Sequence, residues 1–275
     1  GSLIVFDLVS VDIKYVNKED FTSARRVLKP FTPTKADKDI LKDKSYYRVA
    51  NFAGNPMQDG RTSYFHNSIG GYHAAKMKRY QELFDYQIAK NNINVLNMLN
   101  AKYVIVGEDK FQENTDANGN AWFVNSLKIV NSANEEILAL DSLNTKSTAV
   151  INAKSIATDA ISIFKKDSTA SISLLENKIT ELMYETNTAE EQFAVFSEIY
   201  YKDGWNAYVD GIKTNHVRVN YVLRGMNIPK GKHEVVFKYE PTVIRTGNII
   251  TLFCYALLLL IPIGWFVIRK KKQQK

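Results

Sequence analysis

The chain has 275 residues, of which 45% are hydrophobic and 12% aromatic, a composition typical of a folded protein rather than a disordered one. Its formal net charge is +7, but five of its 36 basic residues lie in the last seven positions. The remaining 31 basic residues are balanced by 29 acidic ones, so the body of the chain lacks the basic stripe that binding to a nucleic-acid backbone requires. Because Cys254 is the only cysteine, an intrachain disulfide is also excluded.

The first residues are apolar from Leu3 to Val9, a run that is too short to cross a membrane alone. We therefore expect residues 1–9 to be the end of a preceding membrane helix. Residues 18–44 are charged and contain two prolines, which predicts a connector. Within it, Thr34 followed by Asp37 has the spacing of a capping box and predicts the start of a short helix.

The next segment combines strand and helix patterns. Residues 45–52 and 102–106 have strand composition, and residues 95–99 predict a short helix. A longer helix is expected after Gly70 and Gly71, because apolar residues recur there at helical spacing. Strand, helix and strand together predict a small α/β extracytoplasmic subdomain over residues 10–145.

Short strands dominate the chain after residue 147. Eight are predicted, over residues 149–152, 170–175, 179–185, 192–201, 205–209, 216–219, 222–228 and 234–239. Asp210 and Gly211 form a two-residue hairpin signal. Many short strands at regular spacing predict an antiparallel β-sandwich over residues 146–243. The fold class expected for the whole chain is α+β, with one C-terminal transmembrane helix.

Residues 249–268 contain no charged side chain, and a helix of twenty residues is about 30 Å long, which matches the hydrocarbon thickness of a bilayer. We predict a transmembrane helix at 248–268 and a basic cytoplasmic tail at 269–275. The positive-inside rule then places the soluble region outside the cytoplasm, in the periplasm or at the cell surface.

The strongest candidate binding site follows Gly70 and Gly71, where the expected helix N-terminus would attract an anion. Lys76 and Arg79 follow, and the sequence offers no neighbouring acid to neutralise them. The alternative is that these cations are only solvent-exposed surface residues and that Tyr72 and Tyr80 pack against the protein. The candidate substrate-binding residues are Arg61, His66, Tyr72, His73, Lys76, Arg79, Tyr80 and Trp205.

Trp205 lies in a stretch rich in tyrosine, which suggests a platform for sugar stacking, although a core position at a hairpin is the simpler interpretation. His66 and His73 are seven residues apart without an evident third ligand, so zinc is disfavoured. The chain contains no recognised catalytic motif, and we predict no catalytic residue, metal or cofactor within it.

Five stretches, in order, resemble the C-terminal part of the YfhO family of bacterial membrane proteins: residues 68–80, 97–103, 119–124, 197–205 and 229–241. The last stretch leads into the final apolar segment, as it does in the family. The resemblance covers most of the chain.

The resemblance implies a multi-span protein similar to GT-C-type glycosyltransferases, which transfer a sugar from a polyprenyl-phosphate donor to a cell-envelope acceptor. Their catalytic acid lies in an early extracytoplasmic loop, so this chain would be an accessory part that caps the active site or binds the acceptor. Its expected partners are membrane lipid and either the lipid-linked sugar or an anionic envelope glycan. The alternative is a non-catalytic, membrane-anchored module that binds glycan or protein.

Overall fold

The computed structural model describes residues 2–156 and 162–273, which form eight α-helices and fourteen β-strands. The helices are α1 (Ser2–Tyr15), α2 (Ala24–Leu28), α3 (Lys35–Ile40), α4 (Arg61–Phe65), α5 (Lys78–Tyr86), α6 (Ile93–Met98), α7 (Ala133–Ala139) and α8 (Thr242–Gln273). The strands are β1 (Arg48–Asn51), β2 (Ala101–Gly107), β3 (Lys110–Glu113), β4 (Ala121–Val124), β5 (Ser126–Val130), β6 (Thr148–Asn152), β7 (Ser171–Lys178), β8 (Glu181–Thr188), β9 (Gln192–Ile199), β10 (Trp205–Val209), β11 (Ile212–Thr214), β12 (Val217–Val219), β13 (Leu223–Ile228) and β14 (Gly231–Tyr239).

The chain divides into two compact units, the first made of residues 1–76 and 99–117 and the second of residues 77–98 and 118–275. A three-stranded sheet of order β1-β2-β3 organises the first unit, with β1 and β2 parallel and β2 and β3 antiparallel. Ile40 from α3 packs with Tyr47, Val49, Tyr103 and Ile105 in its core. The predicted small α/β region is confirmed.

Helix α1 extends the predicted helical end of residues 1–9 to Tyr15, and none of its side chains is buried. Leu3 and Phe6 are at least three-quarters exposed, as expected for a surface that needs an apolar partner. That this helix ends a membrane span stays a prediction.

The second unit contains a β-sandwich of two sheets. Five strands have the order β11-β10-β14-β8-β7, and six have the order β4-β9-β13-β12-β6-β5. Tyr184 and Phe237 from the first sheet and Phe196 from the second meet in the core, and each of the two ring pairs that include Phe196 has a centroid distance of 4.9 Å. Burial of apolar side chains from both inner faces is the main source of stability in such a fold. The predicted sandwich is confirmed.

The hairpin signal also proves accurate. Val209 of β10 pairs with Ile212 of β11, and Asp210 and Gly211 both have positive φ, at 50° and 78°. Two consecutive residues with positive φ form the turn whose twist matches that of the flanking strands, which explains the preference for Asp-Gly.

The boundary between subdomains differs from the predicted one at residue 146. Strands β4 and β5 belong to the six-stranded sheet, and β5 pairs in parallel with β6. The second unit also contains α5 and α6, which were expected in the α/β subdomain. Gln87, the residue after α5, joins this helix to the rest of the second unit. Its buried side-chain amide donates hydrogen bonds to Ile137 O and Asp141 Oδ1, both at 2.8 Å.

The helix expected directly after Gly71 begins only at Lys78. Gly71 N donates a hydrogen bond to Pro56 O at 2.8 Å, and a Cβ on Gly70 would lie 1.9 Å from the same oxygen. The two glycines therefore serve close packing against the loop at Pro56, and Gly71 adopts a φ of 136° that disfavours other residues. The prediction of an anion-binding helix N-terminus at this point is wrong.

Helix α8 contains one segment, Thr242–Pro262, that is long and apolar enough to cross a membrane, with a mean hydropathy of 1.8 and no buried residue. The predicted span at 248–268 lies within α8. The helix continues through the start of the predicted basic tail to Gln273, and residues 274 and 275 of that tail lie outside the described residues. An apolar segment such as Thr242–Pro262, without buried side chains, is typical of a membrane span.

Candidate functional site

Asp37 is the centre of a polar cluster in the first unit. Its carboxylate accepts hydrogen bonds from the backbone and the hydroxyl of Thr34, from Arg61 Nη2 at 2.8 Å and from His66 Nε2 at 3.0 Å. Only 1% of Asp37 is exposed. Burial raises the pKa of this carboxyl, but the hydrogen bonds from Thr34, His66 and Arg61 together outweigh it and lower the pKa. Asp37 is therefore a charged anchor at the N-terminus of α3.

Arg61 connects this anchor to the preceding segment. Its guanidinium donates from Nε to Pro30 O at 3.1 Å and from Nη2 to Thr32 O at 3.0 Å. The same group lies 5.2 Å from the centroid of the Phe65 ring. Arg61 thereby fastens residues 30–32 to the folded unit, a role that its planar array of donors suits.

A cavity of about 1020 Å³ opens beside Arg61, and its lining is strongly basic. Arg25, Arg26 and Lys29 line it, whereas Glu108 is its one acidic lining residue. These three cations are exposed, and none forms an ion pair with a described acid within 4 Å. Such a concave group of cations attracts phosphate or carboxylate groups. This cavity is the candidate functional site of the first unit.

The remaining predicted residues of the first unit lie outside this cavity lining. Tyr72 and His73 are exposed in the non-helical segment after Gly71. Lys76 is half-buried and donates a hydrogen bond from Nζ to Met57 O at 2.7 Å. Its ammonium group thus holds a backbone loop, which is a structural role.

Arg79 and Tyr80 belong to the second unit, in α5. Arg79 Nη1 lies 2.9 Å from Glu136 Oε2, and its guanidinium lies 4.5 Å from the centroid of the Tyr221 ring. The expectation that Arg79 lacks a neighbouring acid is wrong, because folding brings Glu136 from 57 positions further along the chain. Arg79 neutralises a fully buried carboxylate and is not available as an anion ligand in the way the sequence suggested.

Trp205 also lies in the second unit, at the start of β10. It packs against Tyr239 at a centroid distance of 5.4 Å and lines a cavity of about 330 Å³ together with Tyr200 and His216. Trp205 is half-buried rather than a full core residue. The predicted eight-residue site is therefore distributed over two compact units and several separate surroundings.

Arg25, Arg26 and Lys29 were not predicted as site residues, because residues 18–44 have the composition of a connector. A usable signal existed, since three cations occur within five residues without an intervening acid. Within residues 2–156 and 162–273, no group of three or more His, Cys, Asp or Glu side chains has the geometry to bind a metal ion.

Comparison with known proteins identifies one relationship. Residues 143–251 match the model of a family described as bacterial membrane protein YfhO. The match begins just before β6, covers the remaining strands of the sandwich and enters α8. Neither the curated proteins nor the solved structures include a significant match to this chain. The family match confirms the resemblance over these residues and, with the apolar helix, supports association with a membrane.

Proposed function

We propose that this chain belongs to the YfhO family of bacterial membrane proteins, whose model it matches over residues 143–251, and that it is the C-terminal extracytoplasmic part of a multi-span membrane glycosyltransferase. The full protein would move a sugar from a polyprenyl-phosphate donor to a cell-envelope acceptor. This part would be accessory, because the cavities described above are suited to binding. It would bind the acceptor or cover the active site.

The observation that carries this proposal is the basic cavity of the first unit. Arg25, Arg26 and Lys29 present three charges without described acidic partners, and Arg61 binds the adjoining backbone at Pro30 and Thr32. A lipid-linked sugar carries its negative charge on phosphate groups at the membrane surface, and cations recognise phosphate by charge-assisted hydrogen bonds. The cavity begins only eight residues after α1, so it would lie near the bilayer if α1 ends a membrane span.

The ends of α8 support the proposed orientation. Five basic residues follow its apolar segment, whereas β14 ends at Tyr239, just before the helix starts at Thr242. The positive-inside rule assigns the basic end to the cytoplasm and the sandwich to the outside. The short link between β14 and α8 would keep the sandwich close to the membrane, where an envelope acceptor could reach it.

A second candidate function is a non-catalytic, membrane-anchored module that binds glycan or protein. The cavity beside Trp205 favours it, since aromatic rings and polar groups in a sandwich form a binding surface without any catalytic machinery. The two functions differ in one requirement, because only the transferase needs a catalytic part in the same polypeptide.

The test is made on the full-length protein in its bacterial host. Replacing Arg25, Arg26 and Lys29 together by Gln should reduce sugar transfer to the envelope by at least about tenfold, as expected for the loss of several charge-assisted contacts. The matched control replaces Lys128, Lys146 and Lys154, which are exposed in the second unit. Unchanged transfer in the first variant, or transfer by this chain alone, would contradict the proposal.

A further inference from the structure

The cavity beside Trp205 has the composition of a ligand site. It measures about 330 Å³ and opens where β10 begins, between the chain that precedes this strand and the chain that follows β11. Its lining combines aromatic, amide, hydroxyl and cationic side chains: Tyr200, Lys202, Trp205, Asn206, Lys213, Thr214, Asn215 and His216. Small-molecule sites of this size commonly pair ring surfaces with a few polar groups that fix orientation.

The Trp205 ring is held by a buried cation. The guanidinium of Arg224 lies 4.3 Å from the Trp205 ring centroid and 5.1 Å from that of Phe237, and only 3% of Arg224 is exposed. Contacts of this kind between a guanidinium and an indole are favourable and restrict the ring. Trp205 therefore presents a ring of fixed orientation to the cavity. A fixed orientation is useful for binding a ligand.

His216 supplies a neutral polar group. Its ring lies 5.3 Å from Tyr200 and 5.4 Å from Phe237 between centroids, and its Nε2 atom is buried without a hydrogen-bond partner among the described residues. An unsatisfied buried nitrogen costs free energy unless a ligand or water binds it. Burial, together with the charge of Arg224, lowers the pKa of His216 to about 4. The imidazole is thus neutral at pH 7 and suited to a hydroxyl group.

Two cations complete the cavity. Lys202 and Lys213 are exposed, and neither forms an ion pair within 4 Å with a described acid. Glu240 interacts electrostatically with Lys213, and its carboxylate also accepts hydrogen bonds from Asn206 Nδ2 and Tyr208 Oη, both at 2.7 Å. Lys202 and Lys213 line the cavity, and their ammonium groups can attract an anionic ligand.

We propose that this cavity binds a sugar residue that carries a carboxylate or phosphate substituent. The ring of the sugar would lie against Trp205, its hydroxyl groups would bond to the amide, hydroxyl and imidazole groups, and its anionic substituent would lie between Lys202 and Lys213. This inference deepens the proposed function: the sugar would belong to an anionic envelope glycan, which is the acceptor that this part holds. Only this biological source of the ligand rests on the proposed function. The binding itself requires no transfer activity.

Binding can be measured on the 275-residue chain in detergent micelles by calorimetric titration. The probes are glucuronate, glucose 6-phosphate, glucose and inorganic phosphate. We expect millimolar or tighter binding of the two anionic sugars and at least about tenfold weaker binding of glucose and of phosphate. Absence of anionic-sugar binding up to about 10 mM, or equal or tighter binding of inorganic phosphate, would overturn the inference.

Variants locate the site. Trp205→Leu should weaken binding of both anionic sugars by at least about tenfold, as expected for the loss of a central aromatic contact. Lys202→Gln with Lys213→Gln should remove the preference for anionic sugars over glucose without changing the melting temperature. Because both positions are exposed, this double variant tests the site even if Trp205→Leu does not fold. The control is Lys128→Gln with Lys146→Gln, and unchanged binding in the Lys202 and Lys213 variant would contradict the site.

The two proposals fail separately. If the chain binds anionic sugars through Trp205 while the full-length protein transfers no sugar, the proposed function is wrong and the site stands. If transfer depends on Arg25, Arg26 and Lys29 while no sugar binds the sandwich, only this inference is wrong.

Discussion

Arg79 and Glu136 form an ion pair with an Nη1–Oε2 distance of 2.9 Å, and the Glu136 side chain is fully buried. The second carboxylate oxygen of Glu136 accepts a hydrogen bond from Tyr221 N at 3.1 Å. The pair therefore connects α5, α7 and the turn between β12 and β13 within the second unit. Removing one member of such a pair leaves an uncompensated buried charge, which is strongly destabilising.

Arg79→Ala should lower the free energy of unfolding by about 3 kcal/mol, because Glu136 would remain buried without its cation. The change is measured by chemical denaturation of the chain in micelles. Lys78→Ala is the control, since Lys78 is one residue away and 90% exposed, with only a loose pair to Glu82. Equal stability of both variants would contradict the structural role of Arg79, which would then again be a candidate anion-binding residue.

Asp37→Asn should lower the free energy of unfolding by about 2 kcal/mol at pH 7, because the carboxylate satisfies donors on Thr34, Arg61 and His66. The lowered pKa of Asp37 means that its contribution is complete above the unfolded-state pKa of 3.8 and is lost as the pH falls through the lower folded-state value.

The difference between the wild type and Asp37→Asn should therefore shrink below about pH 4. Urea unfolding at pH 7 and pH 3 measures it, with the exposed Asp116→Asn variant as the control. If the difference in free energy of unfolding stays constant between pH 7 and pH 3, the charge of Asp37 does not contribute to stability.

Gly70→Ala should lower the free energy of unfolding by about 2 kcal/mol, because the added Cβ would lie 1.9 Å from the backbone oxygen of Pro56. Gly54→Ala and Gly60→Ala are matched controls, since a Cβ at either position has no neighbour within 4 Å. Thermal unfolding of the three variants separates them. A Gly70→Ala variant as stable as the controls would mean that the close approach to Pro56 is not required.

His216→Gln should alter the pH dependence of stability. The folded-state pKa of about 4 lies below the ordinary value of 6.5, so the unfolded chain takes up the proton first as the pH falls. The stabilising contribution of neutral His216 is complete above pH 6.5 and disappears as the pH approaches 4. The melting temperature of the wild type should thus fall more between pH 7 and pH 5 than that of His216→Gln. His73→Gln, an exposed control, should behave as the wild type, and parallel curves for all three would contradict the burial of His216.

Much of the fold could be predicted because its signals are local. Helix α3 begins at the predicted Thr34 and Asp37 capping box, and all eight predicted strands after residue 147 have counterparts in the sandwich. The strands β4 and β5 were missed because their pattern is short, and their membership of the sandwich follows only from pairing with β9 and β6. The late start of α5 was not predicted. It follows from the contact between Gly70 and Pro56, which depends on the conformation of a loop and not on local helix propensity.

The sequence by itself determined that this chain has an apolar helix capable of crossing a membrane, a strand-rich region before it and a nearly neutral body. Spacing, charge and hydropathy are properties of neighbouring residues, so they are visible without coordinates. Only the tertiary structure decided the state of each candidate side chain. It paired Arg79 with Glu136, joined Arg61 to Asp37, and placed Trp205 beside His216 in a cavity, because these contacts join residues that are up to 57 positions apart and arise only from packing.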